Sequence, residues 1–227
     1  MSEFETIQDN HNDLLEGIKS AAKAVGRNPS DVKLVAVSKV QADVRIQAAL
    51  DLGQTVFGEN RVQEAQTRWG ETFASHRQNI ELRLIGPLQT NKVEAAVSLF
   101  DVIETVDREK LLKALAKAAD KVGRRPRLYV QVNTGAEAQK SGLSPEDTLA
   151  FVKLMRSTYD WEPEGLMSIP PVGEAASPHF WLLSNLAEDC GLKKLSMGMS
   201  ADYETAIKMG ATSVRVGSGL FGARVKA

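Results

Sequence analysis

A lysine, two serines set among glycines, and an arginine are the residues of this chain whose type and spacing could do chemistry. Lys39 closes the run KLVAVSK, residues 33–39, behind apolar or small residues and Ser38. Partial desolvation on such an apolar stem makes an amine a better nucleophile toward an aldehyde. The run MGMS, 197–200, carries Gly198, which permits close backbone approach, and Ser200 at an expected helix start. There, backbone N–H groups and the helix dipole favour an anion. The run RVGSG, 215–219, sets Gly217 and Ser218 in a backbone nest suited to phosphate. Arg215 lies inside an apolar run and needs an acceptor or an anion if it points inward. Asn60 ends TVFGEN, 55–60, with a polar group to aim beside Lys39. Each residue alone has an ordinary structural duty as a strand end, a turn or a cap. Together they set an amine against a phosphate cradle. That arrangement suits a phosphorylated aldehyde, and equally a sugar-phosphate enzyme of the Schiff-base aldolase kind.

The elements that must position these residues alternate along the chain. Short Val/Ile/Leu-rich runs are read as strands at 33–39, 55–60, 82–85, 100–104, 128–133, 165–169, 194–199 and 213–216. Amphipathic stretches separate them, which is the mark of βα units around a buried parallel sheet. A lead-in helix carries Leu14, Leu15, Ile18, Ala21, Ala22 and Val25. Asp107, Ser144 and Ser200 are the expected caps of later helices, with Pro145 at a first helical position. Eight units in 227 residues predict a single (β/α)8 TIM-type barrel over 1–227, with an open doubly wound sheet as the alternative. In such a barrel reactive groups sit at the C-terminal strand ends, and the loops after strands seven and eight are the usual phosphate site.

Composition narrows the function further. Twenty-eight basic residues against 29 acidic ones give a net charge of −1, so there is no electrostatic case for nucleic acid. Cys190 is the lone cysteine, and the three histidines lie far apart, so neither a disulfide nor a metal site is expected. The polar, acidic start MSEFETIQDNHND is no signal peptide, and no apolar run approaches a membrane span. A cytoplasmic protein is the expectation.

Seven segments in order resemble the pyridoxal phosphate homeostasis protein family, the YggS/PROSC-type binders of pyridoxal 5′-phosphate (PLP). They are AVSK (36–39), FGENRVQEA (57–65), IGPLQTNK (85–92), QVNTGAEAQKSGL (131–143), GLMSIP (165–170), LSMGMSADYETAI (195–207) and VRVGSGLFGAR (214–224). The resemblance implies a barrel like the N-terminal domain of alanine racemase, with PLP held as a Schiff base on Lys39. It implies a phosphate site at Ser200, Gly217 and Ser218, and Arg215 near the cofactor, at the pyridine nitrogen or the phosphate. It places Asn60 and Met197 along the pocket. One departure is Leu82-Arg83 where the family commonly has Trp-His, and its effect is expected on the strand's flank. The segment 171–177 matches poorly.

The resemblance implies PLP homeostasis without catalytic turnover, with PLP-dependent apo-enzymes as possible recipients and a monomer as the expected state. The alternative is a PLP-dependent amino-acid racemase. Alanine racemases add a C-terminal domain that supplies a catalytic tyrosine, whereas this sequence ends just after the eighth strand. Racemisation by two bases needs a group on each face of the substrate. Tyr129, Tyr159 and Tyr203 are the tyrosines, and Tyr203 is the one to check.

Overall fold

The strands close in chain order into a barrel of eight, β1 Lys33–Val37, β2 Val56–Glu59, β3 Glu81–Leu84, β4 Val102–Val106, β5 Arg127–Val132, β6 Gly165–Ser168, β7 Lys194–Met199 and β8 Ser213–Val216. The computed structural model describes residues 2–137 and 139–222. All pairings are parallel, and β8 returns to β1 with Val216 beside Ala36. Closure leaves no sheet edge, which an open sheet would have to protect. The alternative of an open doubly wound sheet is thereby set aside.

Helices cover the outside: α1 Glu3–Lys23, α2 Asp43–Asp51, α3 Val62–Thr67, α4 Val93–Leu99, α5 Glu109–Val122, α6 Pro145–Tyr159, α7 Ala176–Asp189, α8 Tyr203–Lys208 and the single turn α9 Ser218–Phe221. The lead-in helix α1 begins earlier than its apolar stripe suggests. Ser2 and Glu5 form a reciprocal capping box, with the Glu5 N–H donating to Ser2 Oγ at 3.2 Å and the Ser2 N–H to Glu5 Oε2 at 2.7 Å. Asn10 on α1 donates to the Leu220 carbonyl at 3.0 Å, so α1 also holds the last turn beneath the mouth. Ser144 caps α6 as expected, accepting from the Asp147 N–H, with Pro145 next. Asp107 does not cap α5. Arg108 occupies that position, and the Asp107 carboxylate instead accepts from the Gly142 N–H at 3.2 Å, tying down the loop after β5.

Alternate strand residues face the helices and the lumen. Leu34, Ala36, Phe57, Leu82, Leu84, Ile103, Leu128, Val130, Leu166 and Val214 belong to the continuous apolar layer that packs against the helices. The lumen is built differently. A small apolar patch of Val102, Tyr129 and Met167 sits beside a charged network. Arg83 on β3 bonds Glu104 on β4 at 2.8 Å and reaches Ser213 on β8 at 3.1 Å, although β3 and β8 are not neighbours in the sheet. Arg83 therefore crosses the interior. Its position was expected to matter at the strand's flank; at 1% exposure it is instead a lumen residue.

Glu81, at the N-terminal end of β3, accepts from Arg83 at 2.7 Å, Lys33 at 3.0 Å and Arg127 at 2.6 Å, and so joins the starts of β1, β3 and β5. Burial works against ionisation of Glu81. Arg83, with the bonds from Arg127 and Lys33, outweighs it and holds the pKa at about 2, below the ordinary 4.5. A carboxylate with a depressed folded-state pKa stabilises the fold fully above its unfolded value and loses that contribution as pH falls through the folded value. Stability should therefore decline between about pH 4.5 and about 2. Glu81→Gln should be less stable near neutrality and should lose part of that acid slope. Urea unfolding across this range checks it, and an unchanged slope in the variant would contradict the assignment.

Candidate functional site

The turn that carries Lys39 is clamped on both sides. Ser38 is fully buried; its N–H donates to the Gly58 carbonyl at 3.1 Å and its hydroxyl to Glu59 Oε1 at 2.7 Å. The same carboxylate oxygen accepts from Arg68 at 2.8 Å and from the indole of Trp69 at 3.2 Å. Arg68 then donates to the Gln41 carbonyl at 3.1 Å. Trp69 is fully buried against Phe57, their rings 4.8 Å apart, where α3 continues into a π-helical turn. Between the fixed Ser38 and Gln41, Lys39 is half-buried and Val40 adopts φ of 55°. A β-branched residue in that region is strained, and such strain persists only where the surroundings impose it.

The cradle stands next to this turn. Gly217, after β8, lies against the end of β1; a Cβ built on it would be 3.5 Å from the Cβ of Val37. Ser200 Oγ accepts from the Gly219 N–H at 3.1 Å and from the Ser218 hydroxyl at 3.3 Å, which joins the loops after β7 and β8. Ser200 was expected to cap the following helix. Asp202 takes that place at the start of α8, its carboxylate accepting from the Met199 N–H at 2.6 Å. Ser200 instead satisfies the first turn of α9 through the Gly219 N–H. Gly198, at φ of 90°, admits α8, because a Cβ there would sit 2.5 Å from that of Ala206.

Arg215 points into the lumen below. It is 4% exposed and donates to Ser196 Oγ and to the Ser168 carbonyl, both at 2.7 Å. The acceptor partners that an inward arginine requires are thus present. Asn60 is half-buried at the end of β2 and borders an open cleft of about 940 Å³ with Arg61, Pro87, Gln89, Lys92 and Arg108. Met197 is fully buried in the apolar layer under the helices, because Ser196 takes the lumen side and the β7–β8 pairing shifts register between Ser196 and Met199. Met199 is the half-open methionine at this rim, 40% exposed.

The structure thus brings Lys39, Gly217, Ser218 and Ser200 to adjoining strand ends, sets Arg215 beneath them and buries Met197 in the apolar layer. Glu59, Glu104 and Ser196 were not singled out from the sequence. Their signal was a polar residue inside a strand run, as in VFGE, VIETV and KLSMGM. Ala138, Ala223 and Arg224, within the matched segments, lie outside the described residues.

None of the three tyrosines is at the mouth. The Tyr203 hydroxyl packs against Gly17 of α1, Tyr159 donates to Glu109 at 3.1 Å, and Tyr129 lies under Arg83 in the lumen, its ring 6.0 Å from the guanidinium. Among the described residues no group of His, Cys, Asp and Glu is placed to hold a metal, and no helix is long and apolar enough to cross a membrane.

Fold and site define a β/α barrel of the alanine racemase N-terminal class, and residues 13–225 match the family model described as "Alanine racemase, N-terminal domain". Within that class, the chain belongs to the pyridoxal phosphate homeostasis protein family. It is 39% identical over 225 residues to the pyridoxal phosphate homeostasis protein of Pseudomonas aeruginosa, covering 96% of both chains. It is 37% identical to the one of Homo sapiens, covering 89% of this chain and 82% of that protein. Among solved structures, it is similar to PipY of Synechococcus elongatus with PLP bound, at 35% identity and a TM-score of 0.77, covering 90% of this chain and 100% of that one. An alanine racemase of Clostridium difficile shares the fold alone, at 16% identity and a TM-score of 0.70, with 98% of this chain and 58% of that chain covered.

If the clamp imposes the strain at Val40, an asparagine there should relieve it, because Asn tolerates positive φ. Val40→Asn should raise stability by about 1 kcal/mol, read as a higher denaturation midpoint. A lower midpoint would show that the valine is not strained.

Proposed function

We propose that the barrel mouth binds PLP in the cytoplasm, with Lys39 as the point of attachment, and serves PLP homeostasis rather than a reaction of its own. The observation that carries this reading is the meeting of the lysine turn and the hydroxyl cradle at the adjoining ends of β1 and β8. PipY, which binds PLP in its solved form, supports it at 35% identity. When bound, PLP supplies an aldehyde that condenses with an amine and a pyridine ring that can withdraw electrons.

The chain's own residues divide the work. The clamp from Ser38 to Gln41 holds Lys39 in place. Ser200, Ser218 and the backbone at Gly217 receive the phosphate with hydroxyl and N–H donors. Asn60 borders the mouth at the end of β2, on the flank of β1 away from β8. Arg215 offers donors only, so a ring nitrogen meeting it must present a lone pair. An unprotonated ring is a weak electron sink, which suits storage better than turnover. The Ser168 hydroxyl, fully buried without a partner beside the carbonyl that Arg215 uses, leaves a further polar group for the ligand.

No tyrosine hydroxyl stands at the mouth to act as the acid or base that racemisation requires. Recipients would be PLP-dependent apo-enzymes, and a single copy of the chain suffices for the site as drawn. Borohydride treatment of the PLP-loaded protein should fix the cofactor on Lys39, as read by peptide mass. Lys39→Ala should carry no such adduct, and an adduct at another lysine would displace the assignment. Ser200→Ala combined with Ser218→Ala should weaken PLP binding by about tenfold or more. Substantial turnover of alanine or another amino acid would favour the racemase reading instead.

A further inference from the structure

We propose that Glu104 and Ser196 position Arg215 at the floor of the cofactor site, with Arg83 holding Glu104 in place from the other side; this rests on the PLP reading above. The chain of bonds has a fixed direction. Ser196 has one hydroxyl hydrogen and gives it to Glu104 Oε2 at 2.6 Å. Its lone pairs are then left to accept from Arg215 Nη1 at 2.7 Å. Glu104 Oε1 accepts from Arg83 Nη1 at 2.8 Å, and Arg83 is held in turn by Glu81 and Ser213. Arg215 Nη2 is tied to the Ser168 carbonyl at 2.7 Å, so two bonds to different strands fix the plane of the guanidinium. Glu104, Ser196, Ser213, Arg83 and Arg215 are all buried, and water does not compete for these bonds.

The sharing of charge is uneven. Glu104 touches Arg83 directly, whereas its nearest oxygen stands 4.0 Å from Arg215. Glu81 adds a second carboxylate on the Arg83 side only. Arg83 is thus the better compensated cation, and its pKa is raised: burial pulls it down, but Glu104 and Glu81 outweigh that. Burial lowers the pKa of Arg215, with Glu104 and the more distant Asp202 opposing and Arg83 repelling. Arg215 therefore offers the mouth a positive charge that its own partners do not fully cancel. Without Arg83, Glu104 would be free to swing to Arg215 and neutralise it. The pair of arginines keeps the floor electropositive and donor-only, which selects an anionic ligand with an acceptor on its ring.

A double-mutant cycle on the PLP-loaded protein tests this, with two readouts: the PLP dissociation constant and the absorption maximum of the bound cofactor. Ser196→Ala keeps the Glu104–Arg83 bond and removes only the link to Arg215. It should weaken PLP binding about tenfold and shift the band. Arg215→Met should do at least as much. In the double variant, Ser196→Ala should add nothing to Arg215→Met, because the serine acts through the arginine. Additive effects, or a Ser196→Ala protein with unchanged affinity and band, would overturn the proposal. If Ser196→Ala does not fold, Ser196→Cys, a poorer donor and acceptor of nearly the same shape, carries the same cycle. A wild-type protein that takes up no PLP on Lys39 would instead overturn the functional reading, before any variant is made.

Discussion

Charge buried inside a closed sheet is the constraint on which this structure rests. Removing one partner from a buried ion pair leaves an uncompensated charge in a poorly polarisable medium and costs several kcal/mol, whereas the pair itself gives little net stability. Here the lumen contains Arg83, Arg215 and Glu104, with Glu81 at the N-terminal end. Their bonds run across strands β3, β4, β7 and β8, so a slip of any one of these by a single residue would expel a charged group or strand its partner. The network is better understood as fixing register than as adding stability. A lumen filled only with Val, Ile and Leu would tolerate more than one register.

A second buried carboxylate does for the mouth what Glu104 does for the lumen. Glu59 gathers Ser38, Arg68 and Trp69 onto one oxygen and leaves the other without a partner. A buried acceptor left unpaired is costly. The fold accepts that cost beside the one turn that presents Lys39, together with the strain at Val40 within it. Strain in the Lys39 turn and an unmet acceptor on the strand end beside it are the pattern of a position held for function rather than stability.

The outer half of this architecture was legible in the sequence and the inner half was not. The bounds of β7 and β8 followed from their apolar runs, and α6 from its Ser-Pro start, because those signals are local. A strand buried on both faces reads as a continuous apolar run, so nothing local says which residues look inward. Arg83 was accordingly read as a flank residue, and Glu104 and Ser196 were passed over. The surroundings of Met197 were hidden for a related reason: the register shift in β7 beside Gly198 re-aims the strand end, and a bulge has no sequence signal beyond its glycine. Ser200 was read as the cap of the helix after β7, whereas the N-cap position, Asp202, lies two residues on. That Lys39, Gly217 and Ser218 lie near one another was legible because they follow strands, and a barrel brings strand ends together whatever their distance in sequence.

The same inner half bears on why a racemase-like barrel need not be a racemase. Two-base racemisation on PLP needs an acid or base on each face of the substrate, and a protonated ring nitrogen strengthens the electron sink it draws on. On the PLP reading proposed above, a ring nitrogen set against Arg215 would meet donors only, with Glu104 held away by Arg83, and the sink would be the weaker for it. The need for an acid or base is unmet by the tyrosines, whose hydroxyls are turned to α1, to Glu109 and to the depth of the lumen. Attachment of an aldehyde requires neither condition. It requires only an amine held at a fixed place and a cradle for the phosphate, the roles proposed above for Lys39 and for the Ser200–Ser218 loops at the adjoining ends of β8 and β1.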